Sequence, residues 1–161
     1  MRSPENLIGK IAPANSPAVL RKGVTLNKLI LTDHHPKVMS TLQANIDANF
    51  PPRSPQLGVV ETKVLNWSDF ASDASSQEEN CDLVIGADIV FDTSVIPDLV
   101  KCLAKLSRPA VLANCLRDLD TDKVFRECLA QNGLDYQLQQ LENPFDTELK
   151  VPLNLYLINW K

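Results

Sequence analysis

Short apolar runs alternate along the chain with stretches in which apolar residues recur every three or four positions. Such runs predict β-strands, and the wider spacing predicts amphipathic helices. The predicted strands span residues 26–31, 58–65, 81–91, 110–116, 136–141 and 153–160. Helices are predicted to begin at Pro36, at Thr93 or Ser94, and at Asp120 or Thr121. The first helix extends to about Asn49, ahead of a proline-rich stretch that cannot continue it.

The order of these elements predicts the fold class. Strands that alternate with helices are typical of an α/β fold with a mostly parallel sheet between helices. The last two strands have no helix between them, so we expect an antiparallel pair at one edge of the sheet. Residues 1–25 show no sustained period and predict an irregular lead-in, which leaves residues 26–161 as a single α/β domain.

Composition narrows the class of protein and its compartment. The 161 residues, 44% of them hydrophobic, suit one globular domain. No apolar run reaches the roughly 20 residues needed to cross a bilayer, and the start of the chain does not resemble a signal peptide. None of the four cysteines forms a C-x-x-C pair, which indicates core positions in a reducing compartment and no metal site. We therefore expect a cytoplasmic protein without a membrane segment.

Charge is distributed unevenly along the chain. Residues 1–63 contain eight Lys or Arg and four Asp or Glu, a net charge of +4, whereas residues 64–161 contain eight and sixteen, a net charge of −8. A net acidic chain without a basic stripe is atypical of proteins that bind nucleic acid. The acidic part is either a surface for a basic protein partner or an ordinary solvated surface. We expect a monomer.

Three positions at predicted strand ends are candidates for chemistry, because open α/β sheets bind ligands there. Asp33 follows the first predicted strand, and its two carboxylate oxygens can accept both hydroxyls of a ribose; the alternative is an Asx turn or a helix cap. Trp67 follows the second strand and can stack on a purine or cover the edge of the core. Asp88 interrupts an apolar strand, so its carboxylate needs a partner, a pocket or water.

Three motifs give the chain a family resemblance. The segments T-D-x-x-P, L-N-W and D-L-V-I-G-A-D-I-V-F-D resemble those of seven-β-strand S-adenosylmethionine-dependent methyltransferases, in the protein-lysine branch. Within this branch the chain is most similar to the elongation factor 2 lysine methyltransferase type. The resemblance covers residues 26–161 and implies a Rossmann-like, mostly parallel sheet with helices on both faces and a closing antiparallel strand pair.

The resemblance also implies roles for individual residues. Asp33 would bind the ribose hydroxyls of S-adenosylmethionine, Trp67 would lie at the adenine, and Ala87 would contribute backbone contacts. Asp88 would be the catalytic carboxylate, beside the sulfonium and the incoming lysine of a protein substrate. Phe91 stands where the family usually has tyrosine, and we expect Phe91 and Asp92 to position the substrate.

The chain departs from the family at its glycines. The family's first strand ends in a loop of the E-x-G-x-G type, but the five glycines of this chain are isolated, and no G-x-G occurs. We therefore expect the first strand and its loop to be missing, which makes the domain truncated at its N-terminus. The alternative function is an inactive methyltransferase-like domain that at most binds a protein. A third candidate function is that of a nicotinamide-dependent oxidoreductase. It is less favoured, because that class also needs a glycine-rich turn and does not account for the segment around Asp88.

Overall fold

The computed structural model describes residues 5–9, 26–49, 57–73, 81–141 and 151–160. These residues form seven strands and four helices, which alternate from β2 to β6. The elements are β1 (Glu5–Gly9), β2 (Leu26–Asp33), α1 (Pro36–Asn49), β3 (Leu57–Val64), α2 (Trp67–Ser72), β4 (Leu83–Ala87), α3 (Ile96–Leu106), β5 (Ala110–Cys115), α4 (Leu119–Gln131), β6 (Leu134–Leu141) and β7 (Leu153–Trp160).

The strands belong to one sheet in the order β3-β2-β1-β4-β5-β7-β6. Strand β1 pairs in parallel with β2 and β4, and β2 pairs in parallel with β3. Strand β7 is antiparallel to both β5 and β6. The predicted α/β fold with a mostly parallel sheet and a C-terminal antiparallel pair is therefore confirmed.

Strand β1 corrects the prediction that the first strand is missing and that residues 1–25 are irregular throughout. Its residue Leu7 is in register with Leu29 of β2 and with Leu83 of β4, so β1 lies at the centre of the parallel part of the sheet. Only Leu7 and Ile8 form its apolar centre, which is too short a run to show a period. Such a strand is held by backbone hydrogen bonds to the strands on both sides. A strand of this kind cannot be recognised from the pattern of apolar and polar residues. The remaining residues of the predicted lead-in lie outside the described residues.

Two other elements differ from their predictions. The predicted strand 81–91 is shortened to five residues of β4, because the backbone of Asp88 has a φ of 54° and leaves the extended conformation. Helix α2 was not predicted, since its six residues are too few to show a helical period. None of the described helices has both the length and the apolar content required to cross a membrane.

Helices α3 and α4 begin at residues other than the predicted ones. Helix α3 begins at Ile96, and its N-cap is Val95, whose side chain makes no capping bond; the predicted caps lie in the preceding turn. Helix α4 is capped by Asp118, whose carboxylate accepts hydrogen bonds from the backbone N–H groups of Asp120 and Thr121. Side-chain caps at helix starts satisfy backbone donors that the helix itself leaves unpaired.

The chain divides into two compact units, which are described separately. The N-terminal unit comprises Met1–Asn66 and Asn80–Ile85. Its core packs α1 on the sheet through Leu42 and Ile46, which are buried against Leu26, Leu29 and Leu31. The predicted span of α1 is confirmed.

The C-terminal unit comprises Trp67–Glu79 and Gly86–Lys161. Helix α3 contributes six buried residues to its core, which are Ile96, Leu99, Val100, Cys102, Leu103 and Leu106. The rings of Phe125 and Tyr156 meet edge to face, with centroids 5.2 Å apart. Burial raises the pKa of the Cys102 thiol to about 12, in agreement with its predicted core position, whereas Cys115 and Cys128 are only partly buried.

Gly58 of β3 is required by the close approach of β2. A Cβ atom at this position would lie 2.0 Å from the backbone oxygen of Asn27, far inside van der Waals contact. The obstruction is backbone rather than a flexible side chain, so it cannot move aside without a shift of the strand.

We predict that Gly58→Ala lowers the free energy of unfolding by about 1–3 kcal/mol, the usual cost of overpacking. The control is Val59→Ala on the same strand, where the side chain is 57% exposed and the effect should stay below about 1 kcal/mol. Urea unfolding of both variants measures the difference, and equal losses would contradict the prediction.

Candidate functional site

Asp33 is the last residue of β2 and its side chain is only 4% exposed. Its Oδ1 accepts a hydrogen bond from the backbone N–H of His35 at 2.9 Å, which is the Asx-type turn that the sequence left open as an alternative. The ring Nδ1 of His34 lies 3.7 Å from the same oxygen. A carboxylate has about four lone-pair positions, so the turn does not use up its capacity to accept hydroxyl groups.

The other predicted cofactor residues lie at element ends in the C-terminal unit. Trp67 is the first residue of α2 and Ala87 is the last residue of β4, and both are partly buried.

Asp92, which was predicted to position the substrate, is exposed, and its carboxylate accepts a hydrogen bond from the backbone N–H of Ser94 at 2.8 Å. Hydrogen bonds from Ser94 lower the pKa of Asp92, so this carboxylate helps to form the turn before α3.

A cavity of about 100 Å³ lies within the C-terminal unit at the carboxyl ends of β4 and β5. It brings together two of the predicted site residues, Asp88 and Phe91. Trp67, Ala87 and Asp92 are not among its described lining residues. The other polar residues that line it are Asn114, Arg117, Asp118, Thr121, Asp122, Asn154 and Tyr156.

Asp88 stands at the edge of this cavity in a left-handed backbone conformation, with a φ of 54°. Its N–H donates to the carbonyl of Ala113 at 2.7 Å. Its carboxylate accepts a longer bond of 3.4 Å from the N–H of Cys115 and forms an ion pair with the guanidinium of Arg117. The carboxylate therefore has both features that the sequence required of it, a partner and a pocket, although its side chain is 43% exposed rather than buried.

Asn114 of β5 fixes the segment that follows Asp88. Its side chain is buried, and its Oδ1 accepts hydrogen bonds from the N–H groups of Ile89 at 3.0 Å and Val90 at 3.1 Å. Its Nδ2 is also buried and has no hydrogen-bond partner among the described residues. An unpaired buried donor is costly, so this amide group needs an oxygen acceptor.

Asp122 connects α4 to the closing strands behind the cavity. It accepts hydrogen bonds from Asn154 Nδ2 at 3.1 Å and from the hydroxyl of Tyr156. Its other oxygen lies 3.0 Å from Nε of Arg126. Burial of the ring and the bond to Asp122 raise the pKa of Tyr156, so its hydroxyl keeps its proton. This network makes one wall of the cavity rigid.

Three carboxylates line the cavity, and two of them have structural tasks. Asp118 caps α4 with both of its oxygens, and the hydrogen bonds from Thr121 lower its pKa. Asp122 is held in the network just described. In the described part of the chain, no group of three or more metal-ligating side chains comes together.

Sequence reasoning missed Asn114, Arg117 and Asp122. A signal for Asn114 is present, because it interrupts the apolar run of β5 in the way that Asp88 interrupts the run of β4. Arg117 and Asp122 carry no comparable signal, since charged residues in a loop and in the first turn of a helix are ordinary.

The strand order and the position of the cavity define the class of fold. The structure superimposes on a SAM-dependent methyltransferase of Methanosarcina mazei with a TM-score of 0.66 at 14% identity, covering 100% of this chain and 94% of the other. It superimposes on the ribosomal protein L11 methylase of Lactobacillus delbrueckii subsp. bulgaricus with a TM-score of 0.62 at 13% identity, covering 100% and 72%. The fold is that of the Rossmann-like methyltransferases.

Sequence similarity then gives the family. A family model described as lysine methyltransferase matches residues 18–132, and the chain belongs to this family. The chain is 28% identical over 110 residues to the protein-lysine N-methyltransferase EFM3 of Saccharomyces cerevisiae. The matched region covers 64% of this chain and 31% of that relative, so the chain spans about a third of the relative's length. The predicted family resemblance is confirmed.

We predict that Asn114→Ala lowers the free energy of unfolding by about 1–3 kcal/mol, because the N–H groups of Ile89 and Val90 lose their acceptor. Amide hydrogen exchange at both positions should become faster. Asn159→Ala, at an exposed position of β7, is the control and should change stability by less than about 0.5 kcal/mol. Unchanged exchange at Ile89 and Val90 would contradict the prediction.

Proposed function

We propose that this chain transfers a methyl group from S-adenosylmethionine to the side-chain amine of a lysine in a protein substrate. The observation that carries the proposal is the position of Asp88 in a chain of the lysine methyltransferase family. Its carboxylate stands at the carboxyl end of β4, on the edge of a cavity, in a backbone conformation that a non-glycine residue adopts only when its surroundings enforce it.

The cofactor would be held by Asp33, Trp67 and Ala87. Asp33 supports the ribose assignment because its buried carboxylate ends a parallel strand, where paired acceptors suit the two hydroxyls of a ribose. Trp67 would lie at the adenine, and Ala87 would offer backbone contacts. No residue is proposed for the methionine part, since the sequence lacks a G-x-G and residues 10–25 lie outside the described ranges.

S-adenosylmethionine would supply an electrophilic methyl group, so that a nitrogen–carbon bond forms while the carbon–sulfur bond breaks and its electron pair stays on sulfur. A free lysine has a pKa of about 10.4 and arrives protonated, so it must lose a proton to solvent before it can act as a nucleophile. Asp88 would orient the amine by accepting its N–H groups, which places the nitrogen in line with the methyl group.

Two further residues would position the substrate. Phe91 lines the cavity and is 59% exposed, so its ring can cover the methylene stem of a lysine. Its lack of a hydroxyl removes the hydrogen bond that a tyrosine makes at this position. Asp92, also exposed, adds negative charge next to the cavity residues and would favour a cationic side chain.

The substrate would be a protein with a basic surface, and the family resemblance points to a translation elongation factor. The net charge of −8 on residues 64–161 supports a basic partner and gives no reason to expect nucleic acid. We infer a cytoplasmic location, in keeping with four free cysteines in the structure, and a monomeric state.

The decisive experiment combines calorimetry with a transfer assay. S-adenosylmethionine is titrated into the chain, and tritiated cofactor is then used with purified elongation factor 2, followed by mass spectrometry of the modified peptide. The proposal expects saturable binding and a methylated lysine. No heat and no thermal protection at millimolar cofactor would instead favour the inactive, protein-binding alternative.

We predict that Asp88→Asn reduces methyl transfer by about 10- to 100-fold, the scale of one charge-assisted hydrogen bond, while S-adenosylmethionine binds as before. The reason is that the amide keeps the shape of the carboxylate but offers the amine only one oxygen acceptor. Calorimetry and the transfer assay separate the two effects. Equal losses of binding and of transfer would assign Asp88 a structural role.

We predict that Asp33→Ala weakens S-adenosylmethionine binding by about 10- to 100-fold, because hydrogen bonds from the ribose hydroxyls to a charged acceptor are lost. Asp47→Ala removes the same charge from an exposed position of α1 and serves as the control. Urea unfolding must accompany the titration, since Asp33 also forms the turn with His35. A folded Asp33→Ala protein with unchanged affinity would refute the ribose assignment.

A further inference from the structure

We propose that Arg117 acts as an internal substitute for the substrate: its guanidinium occupies the place on Asp88 that the substrate lysine takes, and it must leave before the lysine enters. This inference rests on the proposed function and adds a specificity device to the same site. It makes Arg117 a residue that sets substrate affinity, by competition.

Asp88 is the carboxylate at the cavity that is available to a new cation. Of the three carboxylates that line the cavity, Asp118 is committed to the cap of α4 and Asp122 to Asn154, Tyr156 and Arg126. Asp88 differs because its close charged partner is the side chain of Arg117. A lysine cation that enters the cavity can therefore be received by Asp88 through exchange of one cation for another.

The ion pair between Asp88 and Arg117 is exposed to solvent, so it can open readily. The side chain of Arg117 is 65% exposed and that of Asp88 is 43% exposed, whereas Asp122 in its network is 12% exposed. Exposed ion pairs contribute little net stability because water solvates both partners when they separate. Arg117 also lies in the segment between β5 and α4, outside any helix or strand. Its guanidinium can move into solvent without disturbing an element of the fold.

Once Arg117 has moved away, the lining of the cavity favours a cation. Asp122 stays paired with Arg126, whereas Asp118 accepts its hydrogen bonds from uncharged groups, so Asp88 and Asp118 then give the lining two negative charges. A phosphate or carboxylate ligand would be repelled, and a cationic side chain would be attracted. The buried Nδ2 of Asn114, which has no partner among the described residues, offers a donor to the oxygen of a water beside the ligand.

Methylation itself would weaken the substrate's hold on Asp88. Each methyl group added to the lysine nitrogen replaces one N–H donor, whereas the guanidinium of Arg117 keeps all of its donors. Arg117 therefore competes better against the product than against the unmethylated lysine, which favours release of the product.

The test compares Arg117→Gln with Lys101→Gln in the full chain. Both changes remove one positive charge from the C-terminal unit, but Lys101 is an exposed residue of α3 that pairs with Asp98 and does not line the cavity. We expect Arg117→Gln to lower the KM for the protein substrate about two- to fivefold with kcat unchanged, as the loss of a weak competing ion pair requires. Lys101→Gln should leave both constants as they are.

A second measurement needs no activity. Titration of the full chain with n-butylammonium, followed by the NMR signal of the Asn114 side-chain amide, should show tighter binding to Arg117→Gln by the same factor. The double variant Asp88→Asn with Arg117→Gln should lose this gain. Arg117→Lys, which restores a cation, should return the affinity towards that of the unaltered chain.

The outcomes are distinct. An unchanged KM with a lower kcat would overturn the proposal and make Arg117 a residue that positions Asp88, and an unchanged n-butylammonium affinity would overturn it as well. If the unaltered chain transfers no methyl group while Arg117→Gln still binds n-butylammonium more tightly, the proposed function fails and the cation exchange at Asp88 stands.

Discussion

The candidate site depends on one side chain, because the amide oxygen of Asn114 receives the N–H groups of both Ile89 and Val90. These two bonds tie the segment after β4 to the end of β5 and hold Asp88 in its left-handed conformation. Such a conformation costs about 1–3 kcal/mol in a residue that is not glycine. Buried hydrogen bonds contribute about 1 kcal/mol each, so the pair is of the size needed to offset that cost. They act together with the N–H of Asp88, which donates to Ala113, and with the N–H of Cys115, which donates to the carboxylate.

The three aspartates that line the cavity have different roles, because each has different hydrogen-bond and ion-pair partners. Asp118 accepts hydrogen bonds from the first turn of α4. Asp122 accepts a hydrogen bond from the hydroxyl of Tyr156 and pairs with the guanidinium of Arg126. Both stabilise the wall, and Asp118, which accepts its hydrogen bonds from uncharged groups, adds negative potential at the cavity. Asp88 is more exposed and carries a partner that water can replace. A rigid acidic wall with one exchangeable carboxylate suits the reception of a cationic side chain.

The sequence predicted the elements whose stability comes from side chains. Helix α1 and strand β7 have the predicted bounds, and the apolar stripe of α3 is buried as expected. Asp88 could be found because a carboxylate in an apolar run must be explained by a partner or a cavity. Strand β1 could not be found, since it is held by the backbone of two neighbours. The role of Arg117 could not be predicted either, because it is the fold that brings this loop residue next to Asp88 at the end of β4.

The strand order has a consequence for how the C-terminal unit forms. Strand β7 is the last of the three in the chain, yet it lies between β5 and β6 and supplies the backbone partners of both. During synthesis β6 emerges before the strand with which it pairs, and α4 emerges before Tyr156, the residue that bonds to Asp122. The pairing of β5 with β7 spans two intervening elements, and non-local pairing of this kind slows folding. The cavity wall is therefore complete only once β7 has paired with β5.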